Sequence, residues 1–257
     1  MSSITGRCVA IDDIAAYAPA TIELATAGFL LSLFVGIPLG IMAAVRRDSW
    51  IDHTARVLSL IGVSSPTFWL AFIMLAVFYG GLQIAPGPGR IDAIALPPPT
   101  ITGLFLVDSL LEGDWDAFRD AFGHLVLPSI VLAATTLGLI TRTTRASMLE
   151  SMQQDYVRMA RAKGLRERVV VMSHVLPNAL IPVVTLAGLA YANLLTGAVM
   201  TETVFSWPGL GLYTFRSAAA LDFPAIMGIT IVVAVTYLLI NLLIDISYAL
   251  LDPRVLR

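Results

Sequence analysis

The sequence predicts an all-α protein, a polytopic bundle of five membrane-spanning helices. Two features of the composition indicate a membrane protein: 57% of the 257 residues are hydrophobic and only 13% are charged. A soluble domain carries roughly 25% charged residues, about twice this share. The mean hydropathy is +0.83, and apolar segments of about 20 residues or more, enough to cross a bilayer core, recur along the chain. The predicted class is therefore an integral membrane protein built from helices.

Five apolar segments are predicted to span the membrane. In chain order they are residues 22–45, 57–82, 121–141, 175–201 and 223–251. Glu23 is the only charge in the first segment, at its edge, and the second has no charge but contains Pro66. A proline inside a membrane helix is tolerated where neighbouring groups satisfy the freed backbone. Residues 1–21 are predicted to form an extracytoplasmic segment, and residues 22–257 the transmembrane domain.

The distribution of positive charge predicts the orientation of the chain. One set of connections, together with the C-terminal tail, holds twelve of the sixteen Lys and Arg residues, and the opposite set holds four. The cytoplasmic side of a membrane protein carries the excess of Lys and Arg. This rule places the C-terminus and the basic loop of residues 142–174 in the cytoplasm, and the N-terminus outside.

The loop of residues 142–174 holds seven of the sixteen Lys and Arg residues, although apolar segments flank it on both sides. Part of it has the spacing of a short helix, because four residues at i, i+3, i+4 and i+7 share one helical face. These four residues are Tyr156, Met159, Ala160 and Lys163. Gly164 follows the last basic turn, where a helix commonly ends in a left-handed conformation.

The residues alone leave two interpretations of this loop open. The small side chains of Ala160 and Ala162, followed by Gly164, allow another surface to approach closely, which favours a docking helix. Alternatively, the loop is a solvated connection whose arginines only fix the topology.

The segment resembles the cytoplasmic coupling loop of ABC-transporter permeases, whose signature is E-A-A, three residues, G, nine residues and then I-x-L-P. Gly164 takes the place of the signature glycine, Ala160 that of the second alanine, and residues 176–177 that of the terminal L-P. The sequence departs from the signature at Arg158, Met159 and His174. These departures are typical of the dipeptide/oligopeptide branch of the family, which carries Y-V-x-x-A-R-A-K-G-L at this place.

Three further segments are similar to landmarks of the same branch, namely residues 36–40, 205–211 and 251–254. The resemblance runs from Pro19 to the C-terminus, about nine-tenths of the chain. Members of the branch usually begin inside the cell with one more helix, which has no counterpart here. A truncated gene product or a late-assigned start codon is the simplest explanation, and a genuine five-helix permease is the alternative.

The resemblance implies the membrane-spanning permease subunit of an ATP-driven ABC importer in the cell inner membrane, with di- or oligopeptides as substrates. It implies a second permease subunit, two cytoplasmic ATP-binding subunits and an extracytoplasmic solute-binding protein as partners. It also implies that the helix in the basic loop docks on one of the ATP-binding subunits. The residues expected at this contact are Tyr156, Met159, Ala160, Arg161, Ala162, Lys163, Gly164 and Leu165.

The motifs that the sequence lacks bear on the alternative functions. No G-x-x-x-x-G-K-[ST] loop for nucleotide phosphates occurs, so ATP hydrolysis is expected on a partner and the chain is not expected to be an enzyme. No cofactor, metal or nucleic-acid partner is expected, and the lone Cys8 excludes an internal disulfide. An ion-coupled secondary carrier would place charges near the bilayer midplane, whereas these spans are nearly free of charge. A truncated, inactive permease is the third possibility.

Several other side chains have two possible roles. Glu23 and Asp245 lie near the ends of spans. For both, capping of a helix or a structural ion pair is expected rather than a part in transport. Trp207, Tyr213 and Phe215 fit an outer gate or an aromatic belt at the membrane interface about equally well.

Overall fold

The structure is a computed structural model that describes residues 5–92, 94–95 and 97–251. In these ranges all regular secondary structure is helical, which confirms the all-α class. The helices are α1 (Thr5–Val45), α2 (Trp50–Ser64), α3 (Thr67–Met74), α4 (Phe105–Glu112), α5 (Trp115–Met152), α6 (Asp155–Ala162), α7 (Glu167–Val169), α8 (Leu176–Gly197), α9 (Val199–Val204), α10 (Leu210–Ala219) and α11 (Phe223–Leu251). A π-helical segment, Leu75–Gly81, continues α3, and another, Val170–Val175, joins α7 to α8.

Four helical segments of the described chain are long and apolar enough to cross a membrane by themselves. They are Asp12–Val45, Trp115–Met152, Glu167–Gly197 and Phe223–Ile244. A fifth crossing results if Trp50–Ser64 and Thr67–Gly81 act together as one broken span. The five apolar segments of the sequence therefore correspond to four continuous helices and one interrupted pair.

The second predicted span, residues 57–82, is not one continuous helix. α2 ends at Ser64 and α3 begins at Thr67, and Pro66 between them has extended backbone with φ −61° and ψ 131°. Proline lacks a backbone donor and disfavours helical conformation at the residue before it, so a helix usually stops there. The expectation of a single helix that runs through Pro66 is wrong.

α1 is longer than the predicted first span. It begins at Thr5, so the described residues before Ile22 are helical and continuous with the span. This part of α1 is fixed by Tyr213: the ring of Tyr17 stacks on that of Tyr213 with centroids 4.9 Å apart, and the Tyr213 hydroxyl donates to Asp13 at 3.1 Å. Contacts between residues about 200 positions apart in sequence thus extend a helix that hydropathy alone would begin later.

α5 is also longer than the predicted span of residues 121–141, because it begins at Trp115 and ends at Met152. Residues 142–152 contain no glycine or proline that would stop a helix. The first third of the predicted coupling loop is therefore a continuation of α5, and only the residues after Met152 leave it.

The chain divides into two compact units. Unit 1 comprises the described residues up to Phe29 together with Ser65–Ala133 and Tyr191–Leu238. Unit 2 comprises Leu30–Ser64, Ala134–Ala190 and the described residues after Leu238. Unit 1 contains the two connections that the charge count predicts to be external. Unit 2 contains both basic connections between spans.

The core of unit 1 is organised around Trp207, which is 1% exposed and packs with Leu24, Leu125 and Leu194. Its indole N–H donates to the carbonyl of Ala20 at 2.8 Å, which satisfies the only polar group of the ring. Trp207 therefore lies in the interior of unit 1. Both roles predicted for it, an outer gate and an interfacial belt, are wrong because burial and this bond fix the ring in the core.

In unit 2, α1 packs on α5 through glycines. A Cβ atom at Gly40 would lie 2.6 Å from the Cβ of Thr144 and 2.8 Å from the carbonyl oxygen of Thr141. The Thr141 hydroxyl donates to the carbonyl of Gly36 at 3.2 Å. Small residues four positions apart allow two membrane helices to approach this closely, and the landmark segment of residues 36–40 thereby acquires a packing role.

The contact of α2 with α5 in unit 2 also depends on a glycine. A Cβ atom at Gly138 would lie 2.5 Å from the backbone oxygen of Ser59. α5 is therefore the central helix of unit 2, because α1 and α2 both approach its backbone closely.

Candidate functional site

α6 is the short helix predicted in the basic loop, and the local sequence sets both of its ends. Gln154 precedes it with extended backbone, and its carbonyl accepts the N–H of Val157 at 3.1 Å. After the last turn, Gly164 has a φ of +75° and its N–H donates to the carbonyl of Arg161 at 3.0 Å. The glycine stop predicted from the sequence is confirmed. Nothing lies within 4 Å of a Cβ built on Gly164, so glycine is required there for its backbone conformation rather than for space.

One face of α6 packs on the rest of unit 2. Val157 is fully buried and Ala160 is 6% exposed, and both belong to a cluster that includes Met148, Val170 and Val175. The helix thus rests on the last turns of α5 and on the π-helical segment before α8. Val157 and Ala160, three residues apart, form the apolar stripe that packs on the core of unit 2. Ala160, predicted to meet a partner, therefore lies on the buried face of α6, and its contact with a partner stays a prediction.

The opposite face of α6 and the turn after it are exposed. Seven of the eight residues predicted to meet a partner lie here: Tyr156, Met159, Arg161, Ala162, Lys163, Gly164 and Leu165. The side chain of Met159 is 62% exposed, and that of Leu165 is 40% exposed. Tyr156 is fixed by its hydroxyl, which lies 2.6 Å from Oγ of Ser151. Exposed apolar side chains with a polar rim are typical of an interaction surface, and the contact itself stays a prediction.

The basic residues of the loop are paired only in part. Arg161 donates to Glu167 at 2.6 and 3.1 Å, and this bond raises the pKa of Arg161. Arg158 lies 3.3 Å from Asp155, whereas Lys163 has no ion pair in the described part of the chain. Exposed pairs of this kind contribute little to stability, and the surface around α6 keeps a net positive charge.

A buried ion cluster joins α2 to α5 in unit 2. Asp52 is fully buried and accepts two hydrogen bonds from Arg145, at 2.6 and 2.8 Å, and one from Nε of Arg56 at 3.1 Å. Both arginines enter the charge count that predicts topology, but their shared partner was not predicted. The i, i+4 spacing of Asp52 and Arg56 is a signal that could have found the first pair. No signal in the sequence connects Asp52 to Arg145, 93 positions away.

Glu23 has the structural role that was predicted for it. Its carboxylate accepts hydrogen bonds from Arg90 at 2.6 and 3.0 Å and from the backbone N–H of Leu106 at 2.8 Å. It therefore forms an ion pair and also satisfies a free donor at the start of α4. Burial lowers the pKa of Arg90, whose guanidinium carbon lies 3.6 Å from the centre of the Phe105 ring. The side chain of Asp245 lies outside the described part of the chain.

A buried carboxylate also lies under the turn that leads into α10. Glu202 is fully buried and accepts hydrogen bonds from the hydroxyl of Thr21 at 2.7 Å and the N–H of Leu212 at 3.0 Å. A Cβ at Gly209 or Gly211 would lie 2.5 or 2.9 Å from this carboxylate, so the turn needs both glycines. Burial raises the pKa of Glu202, and the hydrogen bonds that it accepts oppose this effect without cancelling it. Residues 205–211, one of the landmark segments of the sequence, therefore lead into α10 and include its N-terminal cap, Gly209.

These features define a class of protein, a helical membrane protein that seats a short basic helix on its own core by one face and leaves the other face exposed. The fold matches the solved structure described as "Inward facing conformations of the MetNI methionine ABC transporter: CY5 native crystal form". The TM-score is 0.66 at 16% sequence identity, and the match covers 91% of this chain and 93% of the other. At this identity the likeness shows the fold alone.

Residues 36–257 match the protein family described as "Binding-protein-dependent transport system inner membrane component". The chain belongs to this family and is a membrane-spanning permease component of an ABC importer. The resemblance carried by the coupling loop is thereby confirmed.

Individual relatives agree with this assignment. The "Probable D,D-dipeptide transport system permease protein DdpB" of Escherichia coli strain K12 is 49% identical over 253 residues, which are 98% of this chain and 74% of the relative. The "Dipeptide transport system permease protein DppB" of the same strain is 42% identical over 238 residues, 92% of this chain and 70% of the relative. DppB of Alkalihalophilus pseudofirmus is 41% identical over 245 residues, 95% of this chain and 73% of the relative.

Proposed function

We propose that the chain is one of two permease subunits of an importer for short peptides. The names of three relatives, which are 41%, 42% and 49% identical and are dipeptide or D,D-dipeptide permeases, support peptides as the substrate class. Two ATP-binding subunits in the cytoplasm hydrolyse ATP, and a solute-binding protein outside delivers the peptide. The description of the family as binding-protein-dependent supports the last of these partners.

In this proposal the exposed face of α6 binds one of the ATP-binding subunits. The observation that carries it is the division of α6 into a buried stripe, Val157 and Ala160, and an exposed face on which Met159 is 62% accessible. A short helix that is seated on its own protein by one face and exposes apolar and basic side chains on the other is suited to a groove in a second protein.

Buried contacts within unit 2 can pass a movement of α6 to the spans. Val157 packs in one cluster with Met148 of α5 and Val175, which directly precedes α8. When the ATP-binding subunits close and displace α6, the ends of α5 and α8 have to move with it as rigid elements. The contact on α6 must differ between the open and closed states. A partner shifts an equilibrium between two states only if it binds one of them more tightly than the other.

Cysteine labelling tests the orientation that this proposal requires. In a Cys8→Ser background, we expect a Met159→Cys variant to react with a membrane-impermeant maleimide in inverted vesicles and not in intact cells. An Ile94→Cys variant, at a side chain that is 93% exposed in a predicted external connection, should show the opposite pattern. Labelling of Met159→Cys in intact cells would contradict the whole scheme.

A Gly164→Val substitution tests the docking role of α6. Valine at a φ of +75° is strained by about 1–2 kcal/mol, so the turn after α6 must rearrange. We expect ATP-dependent peptide uptake into vesicles to fall about tenfold, while the amount of protein in the membrane stays the same.

Gly197→Val is the matched control. Nothing lies within 4 Å of a Cβ at Gly197, and this last residue of α8 does not have the positive φ of Gly164. Uptake by this variant should equal that of the unmodified transporter. Full uptake by Gly164→Val would remove α6 from the coupling mechanism.

A further inference from the structure

Unit 2 contains a cavity of about 310 Å³ between α2 and α5. Three guanidinium groups line it, those of Arg56, Arg142 and Arg145, and the rest of its lining includes Leu60 and Ser59. The hydroxyl of Ser59 is buried and has no hydrogen-bond partner among the described residues. The three arginines give the lining of the cavity its positive charge.

The three guanidinium groups have hydrogen-bond donors to spare. Each carries five N–H donors, and Arg145 uses two of them on Asp52. Arg56 uses three, on Asp52 and Asp48. Arg142 is exposed and forms no ion pair in the part of the chain that the structure describes. Because two carboxylates face three guanidinium groups, the cavity keeps a net positive charge.

Another part of the cavity wall is apolar and accessible. Leu60 lines the cavity and is 65% exposed, and its neighbour Ile61 is 55% exposed. Both belong to α2, which is part of the broken membrane span. A ligand that suits both parts of this lining has an anionic head and an apolar chain.

We propose that this cavity binds a phosphate-type oxyanion and that its ligand in the membrane is an anionic phospholipid. The phosphate accepts hydrogen bonds from the free donors of Arg142 and Arg145, and an acyl chain lies along Leu60. Guanidinium groups bind phosphate oxygens in a bidentate manner and are easily desolvated. Basic pockets between spans at the cytoplasmic side are suited to anionic headgroups. The site goes beyond peptide transport, and only its assignment to the cytoplasmic leaflet rests on the proposed orientation.

Lipid binding to the complete transporter tests this proposal. The purified complex in detergent is titrated with phosphatidylglycerol, and the bound lipids are counted by native mass spectrometry. We expect Arg142→Gln to weaken the tightest phosphatidylglycerol site about tenfold, the usual effect of losing a hydrogen bond from a charged group. Arg46→Gln removes the same charge from an exposed position on the same predicted side, outside the cavity, and should leave this site unchanged.

Two further titrations identify the source of the oxyanion. Phosphatidylcholine, whose headgroup also carries a cation, should bind the site more weakly than phosphatidylglycerol. Inorganic phosphate is the competing ligand. If it displaces phosphatidylglycerol and its own binding also depends on Arg142, the oxyanion site is supported but its ligand is free phosphate. An equal loss of phosphatidylglycerol affinity in the Arg142 and Arg46 variants would overturn the proposal, because the lipid would then respond only to the general charge of the loops. Unchanged affinity in both variants would also overturn it.

Discussion

Replacing Glu202 with alanine should destabilise unit 1 by about 3 kcal/mol, since it leaves several buried donors without an acceptor. The hydroxyl of Thr21 and the N–H of Leu212 both donate to this carboxylate, at 2.7 and 3.0 Å. The glycines of the following turn also leave space for a carboxylate that alanine cannot fill. The measurement is the thermal inactivation midpoint of the purified transporter in detergent.

Thr203→Ala is the control for this variant. The hydroxyl of Thr203 bonds only within its own helix, to the carbonyl of Val199 at 2.7 Å, so its loss should cost about 1 kcal/mol or less. Glu202→Gln should fall between the two variants. It keeps an oxygen for the Thr21 hydroxyl but presents an NH₂ group to the N–H of Leu212. Equal midpoints for the alanine variants at positions 202 and 203 would contradict the capping role.

The same carboxylate should make stability depend on pH. Burial raises the pKa of Glu202 in the folded protein, so the folded state holds this proton more tightly than the unfolded state. The stabilisation that this bound proton gives is fully present below the pKa of Glu202 in the unfolded state, about 4.3. It is lost as the pH rises through the raised pKa of the folded state. The midpoint should therefore fall with rising pH, and Glu202→Gln should reduce this slope. A slope that Glu202→Gln leaves unchanged would assign the effect to other groups.

Local signals in the sequence were sufficient for the main features of the fold and of the coupling loop. Long apolar segments identify the spans because the requirement for about 20 apolar residues is set by the bilayer itself. The end of α6 at Gly164 is likewise local, since the left-handed conformation there is a property of one residue. The position of Glu23 at the edge of a span was also sufficient to predict that its role is structural, although not which residues it contacts.

The features that the sequence did not reveal depend on contacts between distant residues. Arg145 and Asp52 are 93 positions apart, and Thr21 and Glu202 are 181 positions apart, and no periodicity or spacing records such pairs. The side of α6 on which Ala160 lies was also unpredictable, because helical spacing defines a face but not what covers it. Trp207 was misplaced for the same reason, since an aromatic residue near a span end has the same pattern whether it faces lipid or the core.

Gly40→Leu should disrupt unit 2 and abolish most of the peptide uptake. A Cβ at this position would lie 2.6 Å from the Cβ of Thr144 and 2.8 Å from the backbone oxygen of Thr141. α1 and α5 would have to separate, which would also break the bond from Thr141 to Gly36. Overpacking of this kind costs about 1–3 kcal/mol or more, and it displaces the helix whose last turns seat α6. Thermal inactivation in detergent and ATP-dependent uptake in vesicles are the measurements.

Alanine substitutions at three glycines provide a graded control for this packing. Gly36→Ala should cost less than Gly40→Ala, because its nearest obstacle is a side-chain methyl of Ile140 at 3.1 Å rather than a Cβ and a backbone oxygen. Gly197→Ala should cost nothing, since nothing lies within 4 Å of its Cβ and alanine favours helix. Close approach of α1 to α5 predicts this order of midpoints. If Gly36→Ala lowered the midpoint more than Gly40→Ala did, the contact at Gly40 would not be the tightest point between α1 and α5.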